Sequence, residues 1–467
     1  MNTTASPRRA GMIETTNPAT GERLATYGSH DSDEVDRTLD SARGAFTAWR
    51  TTSFAERAVA LQRVAAYLRG HKHEIAEIAS REMGKPIVEA EAEVEKCTTA
   101  CAHYAENAER ILASEEVASA AARSYVAYRP LGVVLAIMPW NYPYWQVFRF
   151  AAPALMAGNV GILKHAANVT GCALEIEKIF RECGLPDGVF STILVAGKDM
   201  DDVIADERIA AVTLTGSEAA GSAVAAQAGR YLKKTVLELG GSDAFIVLAD
   251  ADIEAAAQTA VRARFQNNGQ SCIAGKRFIV QTSVYDAFCE AFVRHARALR
   301  IGDPLDRATQ LGPLARPDLR VEIERQIHES IGMGARTLLG AKRVEGPGAY
   351  YEPTILADVT RAMPVFTEET FGPAAAVIRA NDEAHAVDLA NASPYGLGGN
   401  VWTRDISRGE AIAAQIETGA VFINGMTASD PRLPFGGVKL SGYGRELSDV
   451  GMREFMNLQT VWIGPAR

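Results

Sequence analysis

The sequence has little of what marks several large functional classes. Six cysteines stand among 467 residues with no CxxC pair and no regular spacing. That argues against a disulfide scaffold and fits reduced thiols in a cytosolic compartment. The eight histidines show no ligand spacing and HExxH is absent, so no metal site is expected. GxGxxG and GxxxxGK[ST] are missing too, which argues against P-loop chemistry. Positive charge is in deficit: 48 Lys and Arg against 57 Asp and Glu leave a formal charge of -9, the wrong sign for a protein that lives on phosphate backbones. Nucleic acid is therefore not expected as a partner. The longest uncharged apolar stretch, residues 131–140, falls far short of the roughly 18 residues needed to span a bilayer, and residues 1–12 have no apolar signal core. The expectation is an unexported, cytoplasmic protein with no membrane partner. No internal repeat or low-complexity segment is found.

What is present is enough apolar material, 47% of residues, for large cores and about three domains at roughly 150 residues each. After a loose N-terminus, residues 17–22 read as a turn. Helical periodicity then dominates to about residue 112, starting at 31–48, where Ser32 with Val35 and Leu39 fits a capped amphipathic start. Residues 123–129 alternate like a strand, and 132–138 form a continuous apolar strand. From there short apolar strands (161–163, 190–195, 211–214, 234–237) alternate with helices (172–183 and after Gly216), the pattern of a parallel, doubly wound sheet. A second alternating series follows, with helices at 253–265 and 283–299 and strands at 277–280, 374–379 and 419–423. Residues 457–463 are strand-like and suited to pair with 123–129 or with another subunit.

Four segments carry candidate chemistry. Residues 265–272 form a polar, glycine-containing turn that delivers Cys272; most cysteines are buried small hydrophobes, but Asn, Gly, Gln and Ser flanks make a poor core and a good thiolate environment. Glu238 ends an apolar strand, where α/β folds place their ligands, although a solvated strand-end acid is the plainer reading. Asn141 sits in a loop fixed by Pro139 and Pro143, its amide able to donate to an oxyanion, or the loop is simply a rigid aromatic turn. Residues 213–217 end a strand and open a helix, offering free N–H groups to a pyrophosphate.

Taken in order, these segments closely resemble the aldehyde dehydrogenase superfamily over nearly the whole chain. The matching text is Asn17-Pro-Ala-Thr-Gly-Glu, Pro139-Trp-Asn-Tyr-Pro, Lys164, Thr215-Gly-Ser, Glu238-Leu-Gly-Gly, Gly269-Gln-Ser-Cys, Glu368-Glu-Thr-Phe-Gly-Pro, Val421-Phe-Ile-Asn and Pro434-Phe-Gly-Gly-Val-Lys-Leu-Ser-Gly. Within the superfamily, Met83-Gly-Lys-Pro, Leu163-Lys-His-Ala and Ser441-Gly-Tyr-Gly-Arg-Glu are most similar to bacterial NAD(P)-dependent succinate-semialdehyde dehydrogenases.

The resemblance implies an α/β fold with a Rossmann-type dinucleotide domain (1–117 and 133–239), a second α/β catalytic domain (240–440) and a small β oligomerisation flap (118–132 and 441–467), assembled as a homodimer or homotetramer. It implies Cys272 as nucleophile, Asn141 as oxyanion donor with the Cys272 N–H, and Glu238 as the base that hydrolyses the thioester. NAD or NADP would be held by Lys164 and Glu369 on its riboses, Phe371 near the nicotinamide, Gly216 and Ser217 at the pyrophosphate, and Trp140, Ala167 and Leu239 beside them. Ala167 stands where NAD-preferring relatives often carry a glutamate that repels a 2'-phosphate, so both dinucleotides are expected to be accepted. Ala274 replaces a second cysteine that forms a regulatory disulfide in some relatives, and no such switch is expected.

For a small aldehyde with a distal carboxylate, the resemblance makes Arg149 the carboxylate ligand; a second family arginine is replaced by Gln266. Ser429 supplies a hydroxyl, and Tyr144 and Trp145 either line the tunnel or, as an aromatic pair after a proline, belong to the core. The expected reaction is oxidation of succinate semialdehyde or a similar short ω-carboxy aldehyde to the acid. A broad aliphatic or aromatic aldehyde dehydrogenase, with Arg149 turned to solvent, is the competing enzyme. A catalytically silent structural relative is the competing non-enzyme, opposed by the intact Asn141, Glu238 and Cys272 set; a coenzyme-A-acylating relative is opposed by the presence of Glu238.

Overall fold

The structure, a computed structural model, describes residues 11–465. An antiparallel hairpin, Met12–Thr16 with Arg23–Gly28, flanks the turn at Asn17, where the Asn17 N–H donates to the Glu22 carbonyl at 2.8 Å. Of the loose N-terminus expected, residues 12–16 form a strand, and residues 1–10 lie outside the described residues. Four helices follow: Ser32–Trp49, Phe54–Gly70, Lys72–Met83 and Ile87–Ile111. The first is capped by the Asp31 carboxylate, not by Ser32, in a reciprocal box with Glu34; Ser53 and Glu56 repeat the device on the second.

The first sheet has the order Gly442–Tyr443, Lys234–Glu238, Ile209–Thr215, Val133–Met138, Val160–His165, Phe190–Thr192. All neighbours are parallel except the edge strand Gly442–Tyr443. Chain order runs one way from Val133–Met138 through the next two strands and then returns to its other side with Ile209–Thr215. That reversal opens a crevice at the carboxyl ends of these two strands, where doubly wound sheets bind ligands. The loops carrying Trp140, Asn141, Gly216 and Ser217 start there.

The second sheet has seven strands, Arg336–Leu339, Thr354–Ala357, Ala374–Ala380, Gly275–Gln281, Asp243–Val247, Gly398–Trp402 and Ala420–Ile423, parallel apart from the first pair. Helix Ile253–Phe265 leads directly into the Cys272 turn, which feeds the central strand Gly275–Gln281. Strands Asp243–Val247 and Gly398–Trp402, every residue of which is buried, were not among those read from the sequence.

A three-stranded antiparallel sheet joins Glu115–Glu116, Arg123–Pro130 and Met456–Ile463, the last two paired from Met456 with Pro130 to Ile463 with Arg123. Of the two partners considered for 457–463, this is the one within the chain. Within 441–467, only Met456–Ile463 enters this sheet, because Gly442–Tyr443 hydrogen-bonds to Lys234–Glu238 at the edge of the first sheet. Among the described residues no helix is long and apolar enough to cross a membrane.

Candidate active site

The Cys272 turn is built on unusual backbone. Asn267, Asn268 and Gly269 have φ of +54°, +58° and +73°, left-handed values that Asn and Gly tolerate best. The two amides hold the turn open. Asn267 Nδ2 donates to the Asn141 carbonyl at 2.8 Å and the Gln270 carbonyl at 3.0 Å, and Asn268 Nδ2 donates to the Gly84 and Pro313 carbonyls, both at 2.8 Å. Gly269 has no room for a side chain, since a Cβ would lie 2.4 Å from the Gly372 oxygen. The buried Arg264 guanidinium donates to the carbonyls of Gly269 (2.7 Å), Thr370 (3.1 Å) and Gly372. Asn141 Nδ2 donates to Gln270 O at 3.1 Å, so the Pro139–Pro143 loop and the cysteine turn are stitched together across the two sheets.

Glu238-Leu239-Gly240-Gly241 closes on the same point. A Cβ on Gly241 would lie 2.5 Å from the Cys272 carbonyl and one on Gly240 would lie 2.7 Å from Glu369 Oε2, so the two glycines let this strand end reach both groups. Lys276, fully buried, links them: its Nζ donates to the carbonyls of Ser271 (2.9 Å) and Cys272 (2.8 Å) and lies 3.2 Å from Glu369 Oε1. Glu369 also accepts from the Gly241 N–H at 2.9 Å. Phe371 meets Trp140 edge-on, with ring centres 5.7 Å apart.

Burial dominates the electrostatics. It pushes the Cys272 thiol up to about 12, with Arg149 and Lys276 pulling it down and Glu369 and Glu238 pushing it further up. Glu238 is buried, with neither carboxylate oxygen partnered among the described residues; burial and then the neighbouring Glu446 hold its carboxyl well above the usual range. An unpartnered buried carboxylate that binds its proton tightly is poised as an acid or base.

The residues implied for a dinucleotide fit one. Lys164 is half-buried at the end of Val160–His165 with no ion pair among the described residues, and burial lowers its pKa. Ser217 caps helix Glu218–Arg230, so the amino end of that helix opens beside Gly216 at the crevice. Leu239 packs against Gly221, where a Cβ would lie 2.6 Å from Leu239 Cδ2. Ala167 is exposed and brings no carboxylate.

A cavity of about 570 Å³ runs from Cys272, and Trp145, Arg149 and Ser429 line it. Arg149 is fully buried, not turned to solvent. Its guanidinium is ion-paired with Glu446, donates from Nη2 to Thr215 Oγ1 at 3.3 Å and stacks 4.6 Å from the Phe435 ring centre. The structure splits the aromatic pair between its two readings: Trp145 lines the cavity, whereas Tyr144, one residue earlier, is turned by the helical step into the core against Cys172 and Glu82 and does not line it. Gln266 lines the cavity where the second arginine was missing.

Sequence reasoning missed one whole face of the site. On helix Ile87–Ile111, Glu89, Glu93 and Lys96 stand at i, i+4 and i+7 and all line the cavity. Glu89 accepts from the Asn267 N–H at 2.5 Å, and burial raises its pKa to about 7. Glu93 accepts from the N–H groups of Tyr144 and Trp145, both at 2.8 Å, capping the helix that carries Arg149, and is ion-paired with the buried Lys85. The recoverable signal was this acidic and basic row at helical spacing directly after Gly84-Lys85-Pro86. Glu446 and Lys276 carried none, since each is a single charged residue in a segment singled out for other reasons.

The sequence profile of the aldehyde dehydrogenase family matches residues 5–461. A probable succinate-semialdehyde dehydrogenase [NADP(+)] of Synechocystis sp. is 51% identical over 451 residues, covering 97% of this chain and 99% of that one. Succinate-semialdehyde dehydrogenase [NADP(+)] 1 of Mycobacterium tuberculosis is 51% identical over 454 residues, with the same coverage of 97% and 99%. The crystal structure of succinic semialdehyde dehydrogenase from Streptococcus pyogenes, in complex with NADP+, superimposes with a TM-score of 0.95 at 37% identity, covering 97% of this chain and all of that one.

Proposed function

The chain belongs to the aldehyde dehydrogenase family, and on that premise we propose that it oxidises succinate semialdehyde, or a similar short ω-carboxy aldehyde, to the acid with NADP. The observation that carries this reading is a single cavity that begins at Cys272 and is lined at once by cationic side chains and by Ser429. A carboxylate is costly to desolvate unless it is paired, so such a lining selects for one.

In this reading the Cys272 thiol gives up its proton to solvent water and Sγ, as thiolate, bonds to the aldehyde carbon, whose carbonyl electron pair moves onto oxygen. The oxygen that becomes negative takes hydrogen bonds from the second N–H of the Asn141 amide and from the Cys272 backbone. When bound, NADP supplies the acceptor for the hydride that leaves the thiohemiacetal. Glu238 takes a proton from water, which attacks the resulting thioester, releases the acid and returns the thiol. Its lack of any partner supports that role. Lys164, Glu369, Gly216, Ser217, Trp140, Ala167, Leu239 and Phe371 hold the dinucleotide. Arg149, Trp145 and Ser429 wall the substrate chamber.

The division into a dinucleotide domain (1–117 and 133–239), a catalytic domain (240–440) and a flap (118–132 and 441–467) is part of the same proposal, as is a cytoplasmic homo-oligomer joined through the flap. Leu458 and Trp462, each 58% exposed on the flap strand, support a covered surface in the assembly. A broad-specificity dehydrogenase draws on one observation, that Arg149 is already neutralised by Glu446. A steady-state screen of succinate semialdehyde against butanal, each with NAD and NADP, separates the two. Equal kcat/KM for both aldehydes would refute the ω-carboxy reading, and loss of turnover in Cys272→Ala with cofactor binding kept is expected of either.

A further inference from the structure

The cations of the chamber are not equivalent. Arg149 has Glu446, and Arg307 at the mouth has Glu91 at 2.8 Å. Arg262 has no ion pair among the described residues but is exposed to water. Lys96 is different. It is half-buried, its Nζ stacks 4.4 Å from the Trp145 ring centre and donates to Ser429 Oγ at 2.6 Å, and among the described residues no carboxylate lies within ion-pair distance of it.

The titratable groups around Nζ are Arg149 from helix Trp145–Met156, Glu93 and the Cys97 thiol from its own helix, and Asp430 from the loop after Ser429. Both carboxylates are committed elsewhere, Glu93 to Lys85 and Asp430 to Arg432 at 2.6 Å. Burial, and then the proximity of Arg149, lowers the Lys96 pKa to about 8. Holding a second cation against an arginine in a desolvated wall is unfavourable unless an anion joins them.

We propose that Lys96, acting with Ser429, is the residue that receives the distal carboxylate of the substrate and sets the preference for ω-carboxy over plain aldehydes. Arg149, balanced by Glu446, serves the same chamber as a neutral pair. The inference rests on the ω-carboxy reading of the cavity. It also explains how the site manages with Gln266 in place of a second arginine: the missing charge enters from the neighbouring helix. The carboxylate binds best while Lys96 is protonated, so KM for succinate semialdehyde rises above about pH 8 and KM for butanal does not.

The test compares wild type, Lys96→Met and Lys96→Arg on succinate semialdehyde and on butanal, with competitive inhibition by succinate and thermal unfolding measured alongside. Lys96→Met should lower kcat/KM for succinate semialdehyde by about 10- to 100-fold, mostly through KM, and weaken succinate to a similar degree. Butanal turnover and the unfolding temperature should stay within about twofold and a few degrees of wild type. Lys96→Arg should recover part of the loss. A wild type with no preference between the aldehydes would sink the ω-carboxy reading and this inference with it. A wild-type preference that persists in Lys96→Met, or an equal loss on both substrates in a folded variant, would overturn the role of Lys96 and leave that reading standing.

Discussion

Arg149→Met is the perturbation whose outcome the structure changes most. A surface or ligand-only arginine would be lost at little cost to stability. Here the guanidinium faces Glu446, and Glu446 in turn faces Glu238, so the substitution leaves two buried carboxyls without their nearest cation. Breaking a buried pair by removing one partner costs about 3–5 kcal/mol. With an unfolding entropy of about 1 kcal/mol/K for a chain of this length, Tm should fall by about 3–5 °C.

The deficit should depend on pH. Burial already raises both carboxyl pKa values in the folded protein above their usual 4.5. A group with a raised folded pKa is most favourable to folding below its unfolded pKa, and that contribution is lost as pH rises through the folded value. Removing Arg149 raises both folded values further. The Tm deficit should therefore be largest near pH 8 and shrink toward pH 5, as both groups take up protons. Calorimetric unfolding at the two pH values measures this, and Arg149→Met/Glu446→Gln should recover part of the loss. Activity on succinate semialdehyde and butanal should fall together, because the surroundings of Glu238 are disturbed for every substrate. An unchanged Tm, or a deficit that grows toward acid pH, would refute the reasoning.

Three further outcomes follow from the same geometry. Glu238→Gln should still release a first burst of reduced cofactor in rapid-mixing traces but stall before steady state, by about 100-fold or more; equal loss of both phases would assign Glu238 another role. Alkylation of Cys272 by iodoacetamide in the protein alone should climb roughly tenfold per pH unit from 8 to 11 without a plateau, as a thiol near 12 requires, and a plateau at pH 8 would contradict it. Ala167→Glu should lower kcat/KM with NADP by at least about tenfold while sparing NAD, through repulsion of the 2'-phosphate, and a parallel loss with both cofactors would place Ala167 away from the adenosine ribose.

The sequence by itself determined whatever depends on neighbours along the chain. Val133–Met138 and Val160–His165 are short, apolar and bounded by turn residues, and such runs between helices specify a buried parallel sheet. The polar, glycine-containing run around Asn267, Asn268 and Gly269 marked a turn, but the poor core expected of it was not found: all three are buried, their left-handed backbone and amide hydrogen bonds being satisfied inside the fold. The strand-like character of 123–129 and 457–463 marked both as open edges suited to each other or to another subunit, and the fold chose the first. Only the tertiary structure decided matters of charge. Arg149 reads the same in sequence whether it meets solvent, substrate or Glu446, and its partner is 297 positions further along the chain. Lys96 lies still further from Ser429, and Tyr144 and Trp145, adjacent in sequence, point one to the core and the other to the cavity. The physical reason is that backbone preference is a local property, whereas the free energy of a buried charge is set by the groups that the fold brings within a few ångströms of it.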